Sequence, residues 1–126
     1  MKELLEFLDK HRIEYEIEND RVICEYVYLN NKGITSLPKD FGSLECDTLD
    51  LSFNRISELP KSIGDMRCRW LRINNNDITK NKIKYLDLIE NLKYVRIDYG
   101  NGLEEVKQLC RINTRKEKIL SVLKSS

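Results

Sequence analysis

Cys24, Cys46 and Cys68 stand 22 residues apart, and each opens the same pattern. Cys24 leads into Val27, Leu29 and Ile34. Cys46 leads into Leu49, Leu51, Asn54 and Ile56, and Cys68 into Leu71, Ile73, Asn76 and Ile78. A cysteine, apolar residues three and five positions later and an asparagine eight later form one unit written repeatedly. A repeat of this length predicts a solenoid, because one unit cannot bury its own apolar face and neighbours must stack to make a core. The same spacing assigns the three cysteines to that core. They form a ladder, which does not suit a tetrahedral metal centre.

Within each unit, the alternation Leu49, Leu51 or Leu71, Ile73 predicts a short half-buried strand. The asparagine is expected to bond the backbone of the turn that follows. Leu37-Pro38 and Leu59-Pro60 then return the chain, and proline is acceptable there because the return makes no sheet ladder.

These residues resemble the leucine-rich repeat family. Its segment L-x-x-L-x-L-x-x-N reads here as Cys46-Asp-Thr-Leu49-Asp-Leu51-Ser-Phe-Asn54 and again as Cys68-Arg-Trp-Leu71-Arg-Ile73-Asn-Asn-Asn76. Leu37-Pro38-Lys39-Asp40-Phe41-Gly42 and Leu59-Pro60-Lys61-Ser62-Ile63-Gly64 resemble the L-P-x-x-I-G return of the short-repeat intracellular and bacterial subclass. The resemblance implies an α/β solenoid with a parallel sheet on its concave face. It covers residues 24–99, about four repeats, inside a single domain of 1–126. Residues 1–23 form an N-terminal cap and 100–126 a C-terminal helical cap.

The pattern departs from the family at both ends. Lys32 replaces the first asparagine, and Gly33 eases that turn instead. The third return lacks Leu-Pro; Ile83, Leu86 and Ile89 recur at helical spacing and predict a longer helix. Leu92, Val95 and Ile97 fill the apolar positions of the fourth strand, with Gly100 at its asparagine position.

An uncovered solenoid end exposes core, so caps are needed. Leu4, Leu5 and Leu8 mark an amphipathic helix over residues 2–11. Tyr15 to Glu18, a turn at Asn19-Asp20, and Val22 to Cys24 read as a hairpin leading into the first repeat. Leu103, Val106, Leu109 and Cys110 mark a later helix. Thr114 to Glu117 has capping-box spacing for a final one through Leu123. Residues 1–25 carry four basic and eight acidic side chains, and residues 103–126 six basic and three acidic. That asymmetry fits two solvated cap surfaces, or head-to-tail attraction between molecules or an acidic partner at the C-terminal cap. The chain is expected to be a monomer or to self-associate weakly head to tail.

The chain is 34% charged and 40% apolar, and no apolar run approaches the roughly 20 residues of a membrane span. Glu3 and Glu6 interrupt the first apolar stretch, unlike a secretory signal. Core cysteines without a disulfide frame fit a reducing compartment, so the expected location is cytoplasmic.

Residues alternating with the core positions face the concave sheet surface. Reading across the strands, the rows are Tyr26, Thr48, Trp70, Tyr94; then Tyr28, Asp50, Arg72, Arg96; then Asn30, Ser52, Asn74, Asp98; then Asn31, Phe53, Asn75, Tyr99. Of ten aromatic residues in the chain, six fall on this surface with Arg72 and Arg96. Aromatics and arginine dominate binding hot spots. The candidate binding set is therefore Tyr26, Tyr28, Asp50, Phe53, Trp70, Arg72, Asn74, Tyr94, Arg96, Asp98 and Tyr99. Packing of neighbouring rings to stiffen the sheet is the plainer explanation of the same cluster.

Catalysis has little support. The single histidine, His11, lies in the N-terminal cap, and the repeat cysteines point inward. No glycine loop suits phosphate, no Cys/His cluster has zinc spacing, and no metal or cofactor is expected. The leading function is a non-catalytic adaptor or inhibitor that binds a protein partner. Single-stranded nucleic-acid binding through Trp70, Tyr94, Arg72 and Arg96 is a second reading. A net charge of +1 weighs against it, since phosphate binding needs a basic patch. A self-assembling structural protein and a thiol enzyme using Cys110 complete the alternatives.

Overall fold

The computed structural model describes residues 1–98. The predicted C-terminal cap, with Cys110 and the Thr114–Glu117 box, lies outside them, as do Tyr99 and Gly100. The described chain is mixed α/β. One six-stranded, mostly parallel sheet holds β1 (Glu16–Glu18), β2 (Arg21–Ile23), β3 (Tyr26–Tyr28), β4 (Leu44–Asp50), β5 (Arg67–Arg72) and β6 (Tyr94–Asp98). Helix α1 (Lys2–Lys10) precedes it; α2 (Asp77–Lys80) and α3 (Lys82–Asn91) lie between β5 and β6.

Helix α1 buries Leu4 and Leu8 in the core. The amino terminus pairs with Asp40 at 3.3 Å, and Phe7 meets Phe41 edge-on, so the helix sits against the first return segment. The hairpin forms as expected. Asn19 and Asp20 both take positive φ, 51° and 62°, in the two-residue turn whose twist suits paired strands. Ile17 is 53% exposed, because β1 is an edge strand exposed along its whole length.

The 22-residue period appears directly as strand register. Tyr26, Val27 and Tyr28 pair with Thr48, Leu49 and Asp50; Cys46, Thr48, Leu49 and Asp50 pair with Cys68, Trp70, Leu71 and Arg72. Val27, Leu29, Leu49, Leu51, Leu71 and Ile73 all face one continuous core. The two Leu-Pro returns end in short 3-10 turns, Phe41–Ser43 and Lys61–Asp65. Gly42 explains the last position of the return motif. A Cβ there would sit on the Ser62 carbonyl oxygen, while the Gly42 N–H donates to Ser62 Oγ at 2.9 Å. Successive returns touch backbone to backbone, and only glycine fits.

The asparagines act differently from the expectation. They bond largely backward, to the preceding unit, and only Asn76 also bonds forward, in a capping box with Thr79 that starts α2. Asn54 Oδ1 accepts from Lys32 N–H and Ile34 N–H, and its Nδ2 donates to Leu29 as well as to Leu51 and Ser52 carbonyls. Asn76 repeats the arrangement: Oδ1 accepts from Ile56 N–H, and Nδ2 donates to Leu51 and Ile73 carbonyls. Gly33, with φ +69°, eases the first turn as expected.

Two expectations about the third return need correction. The helix is present, as α2 and α3, but Ile83 is 72% exposed while Tyr85 and Leu88 are buried. Asn81 starts the helix by accepting from Lys84 N–H, which rotates Tyr85 and Leu88 inward one turn apart. The fourth strand is also shifted. Cys68 pairs with Val95, Trp70 with Arg96, Leu71 with Ile97, and Arg72 with Asp98. The spacing of Leu92, Val95 and Ile97 imitates L-x-x-L-x-L. In fact Leu92 is the buried C-cap of α3, and β6 alternates plainly. The extra residue of β5 is absorbed as an irregularity between Cys68 and Trp70.

Candidate functional site on the sheet face

The strands present one face to the core and one outward. Tyr26, Tyr28, Trp70, Arg72 and Tyr94 are exposed, while Val27, Leu49, Leu71, Val95 and Ile97 between them are buried. Among the described residues, eight large hydrophobic side chains are exposed. Five of them, Tyr26, Tyr28, Phe53, Trp70 and Tyr94, belong to the strands or turns of this face.

The rings are ordered by their neighbours. Tyr26 and Tyr28 stack at 6.1 Å with planes 8° apart. The register shift brings Arg96, rather than Tyr94, beside Trp70, with its guanidinium 5.7 Å from the indole. Tyr94 instead pairs with Arg67, whose guanidinium lies 5.5 Å from the ring. Each contact is a cation–π pair of moderate strength at an exposed site. Arg72, expected beside Arg96, faces Asp98 in register.

Tyr28, Thr48, Asp50, Trp70 and Arg72 line a depression of about 310 Å³ between the stacked tyrosines and the indole. Asp50 is not a free carboxylate. Its Oδ1 accepts from both the N–H and the hydroxyl of Ser52, which is buried. A separate opening, also about 310 Å³, lies on the other side of the molecule between Leu59, Pro60 and α3.

Arg67 and Arg69 belong to this surface and were missed. Glu45 lies 3.6 Å from Arg67 and 3.7 Å from Arg21, and Asp47 lies 3.7 Å from Arg69. Acids on β4 thus face arginines on β5. The signal was present in the chain: Glu45/Arg67 and Asp47/Arg69 are opposite charges one repeat apart.

The turns after the strands carry two further features. Asn31, Phe53 and Asn75 take φ of 55°, 56° and 59° at equivalent positions. Asparagine tolerates this left-handed conformation, whereas a bulky phenylalanine rarely adopts it. Phe53 does so with its side chain 58% exposed. Asn74 Oδ1 is buried without a hydrogen-bond partner among the described residues, and such an acceptor calls for a reason.

Among the described residues no group of three or more His, Cys, Asp or Glu side chains is placed to hold a metal ion, and no helix is long and apolar enough to cross a membrane. His11 caps the end of α1 and packs on Phe7 at 4.8 Å; partial burial, then Lys10 and Lys32, lower its pKa. Comparison with known proteins gives no match, either to a protein family or to an individual curated protein.

Proposed function

We propose that this chain is a short-repeat leucine-rich repeat module, a solenoid whose outward sheet face binds another protein without catalysing a reaction. The parallel register at 22-residue intervals, the backward-bonding asparagines and the glycine-locked Leu-Pro returns support the repeat reading. One observation carries the binding reading: exposed aromatic rings and arginines are gathered on a single face. Exposed apolar surface of this kind marks interaction sites. The left-handed Phe53 supports it further, because a strained backbone there holds a ring that is more than half exposed. The depression lined by Tyr28, Thr48, Asp50, Trp70 and Arg72 forms the centre of the site, and Phe53 and Tyr94 are exposed elsewhere on the same face. Buried free thiols suit a reducing, cytoplasmic setting.

Affinity purification from the native host, with quantified recovery, tests this. Trp70→Ala and Tyr28→Ala should each weaken capture of the same partner about tenfold, or ~1.4 kcal/mol, with melting temperature nearly unchanged. Lys61→Ala, on a return segment, should leave capture intact. A silent Trp70 together with a sensitive Lys61 would move the site to the other side of the molecule.

A further inference from the structure

Cys46 and Cys68 are register partners on neighbouring parallel strands. Such partners lie ~4.8 Å apart, within the roughly 4.4–6.8 Å between Cα atoms that a disulfide accepts. Both are buried and free. Their Sγ atoms are 3.7 Å apart, with the Cys46 thiol donating to Cys68. Cys68 in turn has the Trp70 carbonyl 2.9 Å away and the Asp47 carbonyl 3.7 Å away as acceptors. The pair is polarised. The hydrogen bond from Cys46 lowers the Cys68 pKa against the opposing effect of burial, and the same bond raises Cys46. Two thiols in contact, at a strand spacing that a disulfide accepts, can close on one another once one of them is oxidised.

A cavity of about 550 Å³ opens beside the ladder, lined by Glu14, Glu16, Cys24, Glu25 and Asp47 among others. The opening reaches Cys24 and Asp47 and not the pair itself; the Asp47 carbonyl lies 3.7 Å from Cys68 Sγ. Four carboxylates line this opening, Asp47 among them paired with Arg69 at 3.7 Å, and they disfavour the approach of an anionic oxidant such as oxidised glutathione.

We propose that Cys46 and Cys68 are an oxidative modification site, closed to a disulfide by a neutral hydroperoxide. Cys68 sulfur attacks one peroxide oxygen. The O–O bond breaks, an S–O bond forms, and the departing oxygen leaves as water with the thiol proton. Cys46 sulfur then attacks the sulfenic sulfur; the S–S bond forms, the S–O bond breaks, and the hydroxyl leaves as a second water with the Cys46 proton. The two thiols lose two electrons and two protons, and hydrogen peroxide becomes two waters. The product ties β4 to β5 and removes the thiol proton that Cys68 directs at the Trp70 carbonyl, so oxidation is felt on the sheet face. This site does not depend on the protein-binding reading.

The test is exposure of the full chain to hydrogen peroxide, followed by intact-mass measurement and non-reducing peptide mapping. The expected product is lighter by two hydrogens, with Cys46 linked to Cys68 in most molecules, and dithiothreitol restores the original mass. The emission of Trp70, the single tryptophan, shifts in step with the link. Oxidised glutathione at the same concentration should give at least tenfold less product. Cys24→Ser and Cys110→Ser, which leave the pair intact, should oxidise like wild type. Cysteines that stay reduced, oxygen addition without a link, or a link through Cys24 or Cys110 would overturn the assignment. Equal yield with oxidised glutathione would overturn the neutral-hydroperoxide class.

Discussion

Replacing Asn54 with alanine removes five hydrogen bonds, but their loss is not equal in weight. The Leu51 carbonyl keeps its bond from Asn76 Nδ2 at 2.8 Å, and the Ser52 carbonyl keeps the Asn31 N–H at 3.1 Å. Lys32 is exposed, so its N–H can turn to water. That leaves two buried groups without their partner, the Ile34 N–H and the Leu29 carbonyl. Each buried orphan costs ~1–3 kcal/mol, so the expected destabilisation is ~2–6 kcal/mol. A small domain has only about 5–15 kcal/mol in total. Urea unfolding followed by circular dichroism should therefore show a large fall in midpoint with little change in slope. Asn30→Ala, at an exposed neighbouring position, should stay within about 0.5 kcal/mol of wild type. An Asn54→Ala protein as stable as Asn30→Ala would mean that water replaces the amide and that the asparagine ladder is not structural.

Gly42→Ala should lower stability by ~1–3 kcal/mol, since the two return segments must part to admit the methyl group; an unchanged calorimetric melting temperature would contradict that contact. Phe53→Asn should raise stability by about 0.5–1 kcal/mol by relieving the left-handed phenylalanine, while weakening partner capture; a destabilised variant would show that the ring packs usefully within the fold. Leu51→Ala should cost ~2–5 kcal/mol in urea unfolding, whereas Tyr26→Ala, exposed on the other face, should cost far less; equal losses would undo the assignment of faces. A bulky thiol reagent should label Cys24, Cys46 and Cys68 slowly in the native state, because all three are buried; rapid labelling of all three would place them outside the core.

The parts of the fold that were legible are those fixed by local period and turn chemistry. Alternation placed Leu49, Leu51, Leu71 and Ile73 inward, and Asn19-Asp20 announced the hairpin. The fourth strand was misread because Leu92 matches the spacing of a repeat although it ends a helix. Spacing cannot say which residues a neighbouring element consumes. The candidate site suffered from the same slip: Trp70 meets Arg96 and not Tyr94. Asp50 faces outward as expected, yet it also holds buried Ser52, a bond between residues two apart that a face assignment does not reveal. Arg67 and Arg69 were overlooked because their acids lie a full repeat away in the chain.

The backward-bonding asparagines give the chain a temporal order. The first unit's turn obtains its hydrogen-bond acceptor only from Asn54, and the second unit's turn obtains its own from Asn76. A polypeptide emerging from the ribosome therefore cannot complete these two turns until the following unit, some 20 residues later, has also emerged. At these two turns maturation trails synthesis by one repeat. A truncation that removes a downstream unit strips the acceptor from an otherwise intact neighbour. Loss of an upstream unit leaves the next asparagine still bonded to the carbonyls of its own turn.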